Sequence, residues 1–163
     1  MSAYKHWLPV VLWMGFIFAM SSDLGSAEHT SRIIEPLVLW LKPDASPEQF
    51  ELVHFLVRKC GHLSEYAVLA FLILRAINLS GSIVTKKWSW QTAAISLLTA
   101  AVYAATDEWH QSFVPGRSAA FTDVLIDSCG ACGGLTLAFL WHKLMLPRLF
   151  SKTMSQYPAQ ESL

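Results

Sequence analysis

Four stretches of the chain are apolar almost throughout: Trp7 to Met20, Leu63 to Leu79, Trp88 to Ala105 and Val124 to Leu146. Nothing else in the sequence limits its fold as strongly. The first stretch holds no charged side chain, and the second only Glu65 and Arg75. As helices, and with their flanking residues, such runs fill the roughly 30 Å hydrocarbon layer of a bilayer. Hydrophobic residues make up 53% of the chain and charged ones 15%, too little polar material to cover a water-soluble fold. The expected fold is all-α: an integral membrane four-helix bundle with spans at about 7–22, 61–79, 88–106 and 124–146. These form one domain over 1–150, followed by a polar cytoplasmic tail at 151–163. The first stretch has a cleaved signal peptide as its rival reading, but Gly25-Ser26-Ala27 is a poor cleavage site and three more spans follow.

Orientation follows from the cations. Lys5, Arg75, Lys86, Lys87, Lys143, Arg148 and Lys152 belong to the N-terminus, the second connection and the C-terminus. The positive-inside rule makes that side the cytoplasm, with both termini inside. Every acid except Glu161 falls in the other two connections or the span ends beside them. A net charge of zero and the lack of any Lys/Arg block argue against a nucleic-acid partner.

Ser46-Pro47-Glu48-Gln49 has the chemistry of a helix start, with serine as N-cap, proline first inside and glutamine completing a capping box. A helix from there carries Phe50, Val53, His54 and Val57 on one side. It predicts an additional amphipathic interfacial helix in the first extracytoplasmic connection, ahead of a span beginning at Gly61. Gly130, Gly133 and Gly134 predict a small-residue face on the fourth span, against which another helix packs closely. Cys129-x-x-Cys132 lacks the βαβ context of a redox pair and reads as small packing residues. Ser64 reads as a helix-packing residue, Trp109 as an interface anchor, and His6, His29, His54 and His142 as interfacial or exposed.

Three segments set ionisable groups at the extracytoplasmic membrane face. Lys59, His62, Glu65 and Tyr66 recur along one helical stripe. Asp107, Glu108, His110 and Gln111 close the third span, and Arg117, Asp123 and Asp127 lead into the fourth. A charge at membrane depth costs about 2.5–3.5 kcal/mol even on the mildest scale, so it persists where it is paired, hydrated or used. The carboxylates outnumber Lys59 and Arg117, so a cation, protons or water must balance the remainder. An ion-pair network that merely locks the loop ends together is the structural alternative.

Lys59-Cys60-Gly61-His62-Leu63-Ser64-Glu65-Tyr66 resembles the K-x-x-H-x-x-E-Y motif of the VanZ family. The stretch from Asp107-Glu108 through Gln111 and Phe113 to Pro115 and Arg117 resembles its D-E-x-x-Q-x-F-x-P-x-R motif. Asp123, Gly130 and Gly134 fit its D…G-x-x-x-G tail, and Ser21, Ser22, Ser26 and Ser31 resemble its serines after the first span. Asp127 departs from the pattern, standing where asparagine is expected.

The family is named for a membrane protein that lowers susceptibility to the glycopeptide antibiotic teicoplanin. The resemblance therefore implies a multi-pass protein of the bacterial inner membrane with a role at the cell envelope. Its expected partners are membrane lipids and a lipid-linked cell-wall precursor or other envelope ligand; oligomeric state is left open. If the protein is an enzyme, a hydrolase or transferase is expected, with His62, Glu65, Asp107 and Glu108 as acid–base candidates. Lys59, Tyr66, Gln111, Arg117 and Asp123 are the candidate ligand-binding residues. Alternatives are a non-catalytic envelope binding protein and a metal-dependent hydrolase using His62-x-x-Glu65 and Asp107-x-x-His110. No cofactor and no metal ligand are assigned.

Overall fold

The computed structural model describes residues 4–22, 27–80, 88–115, 117 and 119–156, without the side chains of 27–29 and 145–156. Five helices account for most of them: α1 (Tyr4–Ser21), α2 (Ala27–Leu41), α3 (Pro47–Ser80), α4 (Trp90–Gln111) and α5 (Phe121–Gln156). There is no strand among the described residues. Two helices, α3 and the Phe121–Leu144 part of α5, are long and apolar enough to cross a membrane. Lys86 and Lys87, which orient the predicted third span, lie outside the described residues, as do Ser26 and Gly116.

Helix α3 begins where its capping chemistry predicts. The Gln49 side chain accepts from the Ser46 backbone N–H at 3.1 Å, and the Ser46 hydroxyl donates to the Glu48 carboxylate at 2.6 Å. That hydroxyl bond holds the exposed Glu48 carboxyl below its usual range. The predicted interfacial helix at 47–60 is not a separate element, because α3 runs unbroken to Ser80. Gly61 costs a helix only about 1 kcal/mol and strong helix formers flank it, so one glycine does not end the helix. The amphipathic helix of the first connection is instead α2, which among the described helices packs on α3. It buries Ile34 and leaves Ile33, Leu37 and Trp40 exposed. Ser89 caps α4, its hydroxyl accepting from the Thr92 N–H at 3.2 Å.

The most extensive helix contact joins α3 to α5. Tyr66, Leu69, Ala70, Ile73 and Leu74 follow helical spacing along α3 and are buried. They meet the α5 face that carries Asp127, Gly130, Ala131, Gly134 and Leu135. A Cβ built on Gly130 would lie 2.8 Å from the Leu63 Cα, and one on Gly134 would lie 2.8 Å from the Ala67 Cα. Glycine there lets the backbones touch, as the small-residue pattern predicts. Gly133 does not share this face and has open space around it.

The cysteines and Ser64 correct the packing expectation. Cys60, Cys129 and Cys132 are free and exposed rather than packed in the core. Ser64 is also exposed, its hydroxyl donating back to the Cys60 carbonyl within its own helix. Trp109 is exposed, with its ring edge-on to Phe113.

The middle of α1 is held by two hydrogen bonds over long sequence distances. Trp13 Nε1 donates to the Glu65 carbonyl at 2.9 Å, and the Tyr103 hydroxyl donates to the Met14 carbonyl at 2.7 Å. Large apolar side chains remain exposed on the other four helices too, including Leu12 and Phe16 on α1, Phe71 on α3, Leu98 and Val102 on α4, and Leu137 on α5.

Candidate functional site

The ionisable residues singled out by the sequence gather where the end of α4 and the start of α5 meet the middle of α3. They resolve into groups that do different things. Asp107, on the last turns of α4, accepts from the Ser21 hydroxyl at 2.6 Å and from the Gln111 side-chain amide at 3.1 Å. Gln111 also donates to Ser21 at 3.3 Å, so this buried triangle ties the end of α1 to α4. Lys59 pairs directly with Asp123 and joins α3 to the start of α5, its ammonium 5.5 Å from the Phe55 ring centroid. Arg117 reaches back across the connection and donates through Nη2 to the Met20 and Ser22 carbonyls, capping the C-terminal end of α1. Burial first, then the nearby charge of Arg58, pull its guanidinium below the usual range.

The other residues are less fully partnered. His62 Nδ1 lies 3.2 Å from Asp127 Oδ1, without the alignment of a hydrogen bond. Asp127 is fully buried, and neither of its carboxylate oxygens has a hydrogen-bond partner. Glu108 comes from α4 into the same space. One of its oxygens accepts from the Ala120 N–H at 3.0 Å, while the other is buried and unpartnered. Donor atoms of His62, Glu108 and Asp127 all lie within 4.8 Å of one another. Tyr66 is fully buried one turn along α3 from His62, and its hydroxyl has no partner.

His62 also faces a small cavity of about 170 Å³ between α1, α2, α3 and the α4–α5 connection. Glu65 and Arg117 line it from the predicted set. So do His54, Arg58 and Ser21, which sequence reasoning left out of the site. Their signal was available. His54, Arg58, His62 and Glu65 follow helical spacing on α3, and Ser21 belongs to the serine run after the first apolar stretch. Asp127 was visible as an extra acid, but only its burial between α3 and α5 marks it as central. His110, paired with Asp107 in the metal alternative, stacks instead on Phe18 at 4.2 Å between centroids. Among the described residues the three-donor cluster is the His62–Glu108–Asp127 set, which differs from both pairs that sequence spacing suggested.

Described residues without a strand, two helices among them of membrane-crossing length, and buried carboxylates and a histidine beside a cavity that charged side chains line in part have the character of a membrane protein with an internal polar site. The chain belongs to the VanZ/LLP1 family, whose pattern it matches over residues 6–142. No curated protein and no solved structure matches it.

Proposed function

We propose that the protein is a multi-pass membrane protein of the bacterial envelope that binds the polar head of a lipid-linked precursor in this cavity and acts on it there. The observation that carries the reading is the continuity of a polar and an apolar surface. The cavity holding Arg58, Arg117, His62 and Glu65 shares Ile34 and Val57 with a larger apolar groove of about 410 Å³ between α2 and α3. The groove receives an acyl or isoprenyl chain, while the guanidinium groups attract an anionic head. At about 170 Å³ the cavity is smaller than the roughly 300–1,000 Å³ of whole-ligand sites, so it takes a head-group fragment.

In the membrane α1, α3, α4 and α5 are the spans, with both termini cytoplasmic and α2 along the outer interface. The exposed apolar faces of α1 and α4 support four spans over the two that meet the length-and-hydropathy test. Helix α3 has 34 residues, about 51 Å at about 1.5 Å per residue. About 20 of those residues cross the hydrocarbon, which leaves the stretch before Gly61 to project outward and wall the cavity.

His62 and Glu65 are the acid–base pair of a hydrolase or transferase step, set against a head group held by Arg58 and Arg117. Family membership links such a protein to glycopeptide susceptibility through the precursors it handles. A second reading, binding without turnover, is favoured by Asp107, one of the acid–base candidates, being engaged with Ser21 and Gln111. The two readings separate when wild type and Glu65→Gln are expressed side by side and lipid-linked precursors are profiled by mass spectrometry. The catalytic reading expects the wild type to shift the profile and Glu65→Gln not to. Identical profiles would end it. Loss of precursor co-purification in Arg58→Ala would then uphold binding alone.

A further inference from the structure

The His62–Glu108–Asp127 cluster has a geometry that internal hydrogen bonding does not explain. Asp127 sits at full burial with no hydrogen bond to either oxygen, apart from the 3.2 Å approach of His62 Nδ1 to Oδ1, and Glu108 Oε1 is unpartnered beside it. Leaving buried carboxylate oxygens without donors is among the costlier things a fold can do. The donors nevertheless point at one another, from α3, α4 and α5.

We propose that these three residues form a binding site for a single divalent transition-metal ion. Several observations converge on it. Two carboxylates neutralise a dication, and in the wider cluster Glu65, Asp107, Glu108, Asp123 and Asp127 exceed the cations Arg58, Lys59 and Arg117 by that same charge. The 3.2 Å between His62 Nδ1 and Asp127 Oδ1 matches the roughly 3.0–3.4 Å between adjacent ligands on a metal with bonds of about 2.1 Å. The 4.8 Å limit on the set exceeds the roughly 4.2 Å span of two opposed ligands on such an ion by well under 1 Å, within reach of side-chain adjustment.

The Ala120 N–H holds one oxygen of Glu108, as an outer-shell partner of a ligand does, and leaves the other, buried and without a hydrogen bond, free to bind. One imidazole nitrogen and two carboxylate oxygens suit Mn²⁺ or Zn²⁺ better than the all-oxygen preference of Mg²⁺ or Ca²⁺. Three protein ligands leave positions open, and His62 forms part of the cavity wall. Water or a ligand oxygen can therefore complete the shell from that side.

The site shares the cavity wall with the proposed function but does not depend on turnover. The test uses the full chain, purified in detergent and stripped with chelator. It is then dialysed against Mn²⁺ or Zn²⁺, and metal per protein is measured by mass spectrometry. The expected result is one equivalent of one of these ions in the wild type. Asp127→Asn and Glu108→Gln, both close to isosteric, should lower its affinity about tenfold or more. Glu48→Gln and His110→Gln should keep it.

Wild-type protein that retains essentially no metal would overturn the proposal, whatever the variants do. Full binding by Asp127→Asn and Glu108→Gln would overturn this ligand set. As a readout that needs no variant, the metal should raise the wild-type unfolding temperature and chelator should reverse the rise; no shift counts against the site. Metal binding with an unchanged precursor profile would sink the proposed function alone. A metal-free protein that still alters the profile would sink this inference alone.

Discussion

Replacing Gly130 with alanine puts the α3–α5 contact to a direct test. The added Cβ would lie 2.8 Å from the Leu63 Cα, whereas ordinary contact begins near 3.4 Å. The Leu63 carbonyl oxygen is nearer still, so the two helices must part by about 1 Å at that level. The obstacle is backbone, so no rotamer change relieves it. Overpacking of this kind costs about 1–3 kcal/mol, set against up to about 1 kcal/mol gained when alanine replaces glycine in a helix. Gly133→Ala gains the propensity term and meets nothing.

The two variants, one residue type and three positions apart on the same helix, should move stability in opposite directions. Thermal unfolding of both purified proteins in one detergent reads the difference. Gly130→Ala should melt lower than wild type, and Gly133→Ala at or above it. The consequence for the site follows from position. Leu63 adjoins His62, and Gly130 lies one turn from Asp127, so parting the helices widens the 3.2 Å approach of His62 to Asp127. Equal shifts for the two alanine variants would refute the claim that backbone contact sets this geometry.

Ser21→Ala removes the hydroxyl that donates to Asp107 and leaves a buried carboxylate short of a donor; a loss of about 1–3 kcal/mol is expected in chemical or thermal unfolding. Lys59→Ala strands Asp123 at the head of α5 and should destabilise by about 3 kcal/mol, while Lys59→Met with Asp123→Leu should recover most of that in a double-variant cycle. The Glu48 carboxyl is held below its unfolded value near 4.5, so its contribution to the start of α3 is complete above that pH. It fades as pH falls through the lower folded value. Hydrogen exchange at residues 47–51 should accelerate over that acidic window in wild type but not in Glu48→Gln. Trp13→Phe deletes the indole donor to the Glu65 carbonyl, and faster exchange in α1 than in α5 would report its loosening.

Much of the helix content was legible because each strong signal is local. Ser46-Pro47 marks the start of α3 through bonds to its own next residues. The periodic burial of Tyr66, Leu69 and Ile73 follows from 3.6 residues per turn. The glycine face was half right for the same reason. Spacing puts Gly130 and Gly134 on one side, but it takes α3 to show that Gly133 stands clear. Helix α2 escaped notice because Arg32, Glu35 and Pro36 interrupt its apolar residues, and only packing of Ile34 on α3 gives it a face.

For the site, the sequence determined the cast: costly acids, a histidine and arginines at the ends of apolar helices, in a pattern that named the family. It also determined that some balance of charge had to exist, since carboxylates outnumber nearby cations whatever the fold. Only the tertiary structure decided who balances whom. Asp123 goes to Lys59, Asp107 to Ser21 and Gln111, and Arg117 to the carbonyls of α1. His62, Glu108 and Asp127 are left facing one another. Partner choice among these groups turns on differences of an ångström or two between helices far apart in the chain. That separation is set by how closely α3 and α5 approach, and no local spacing along the sequence encodes it.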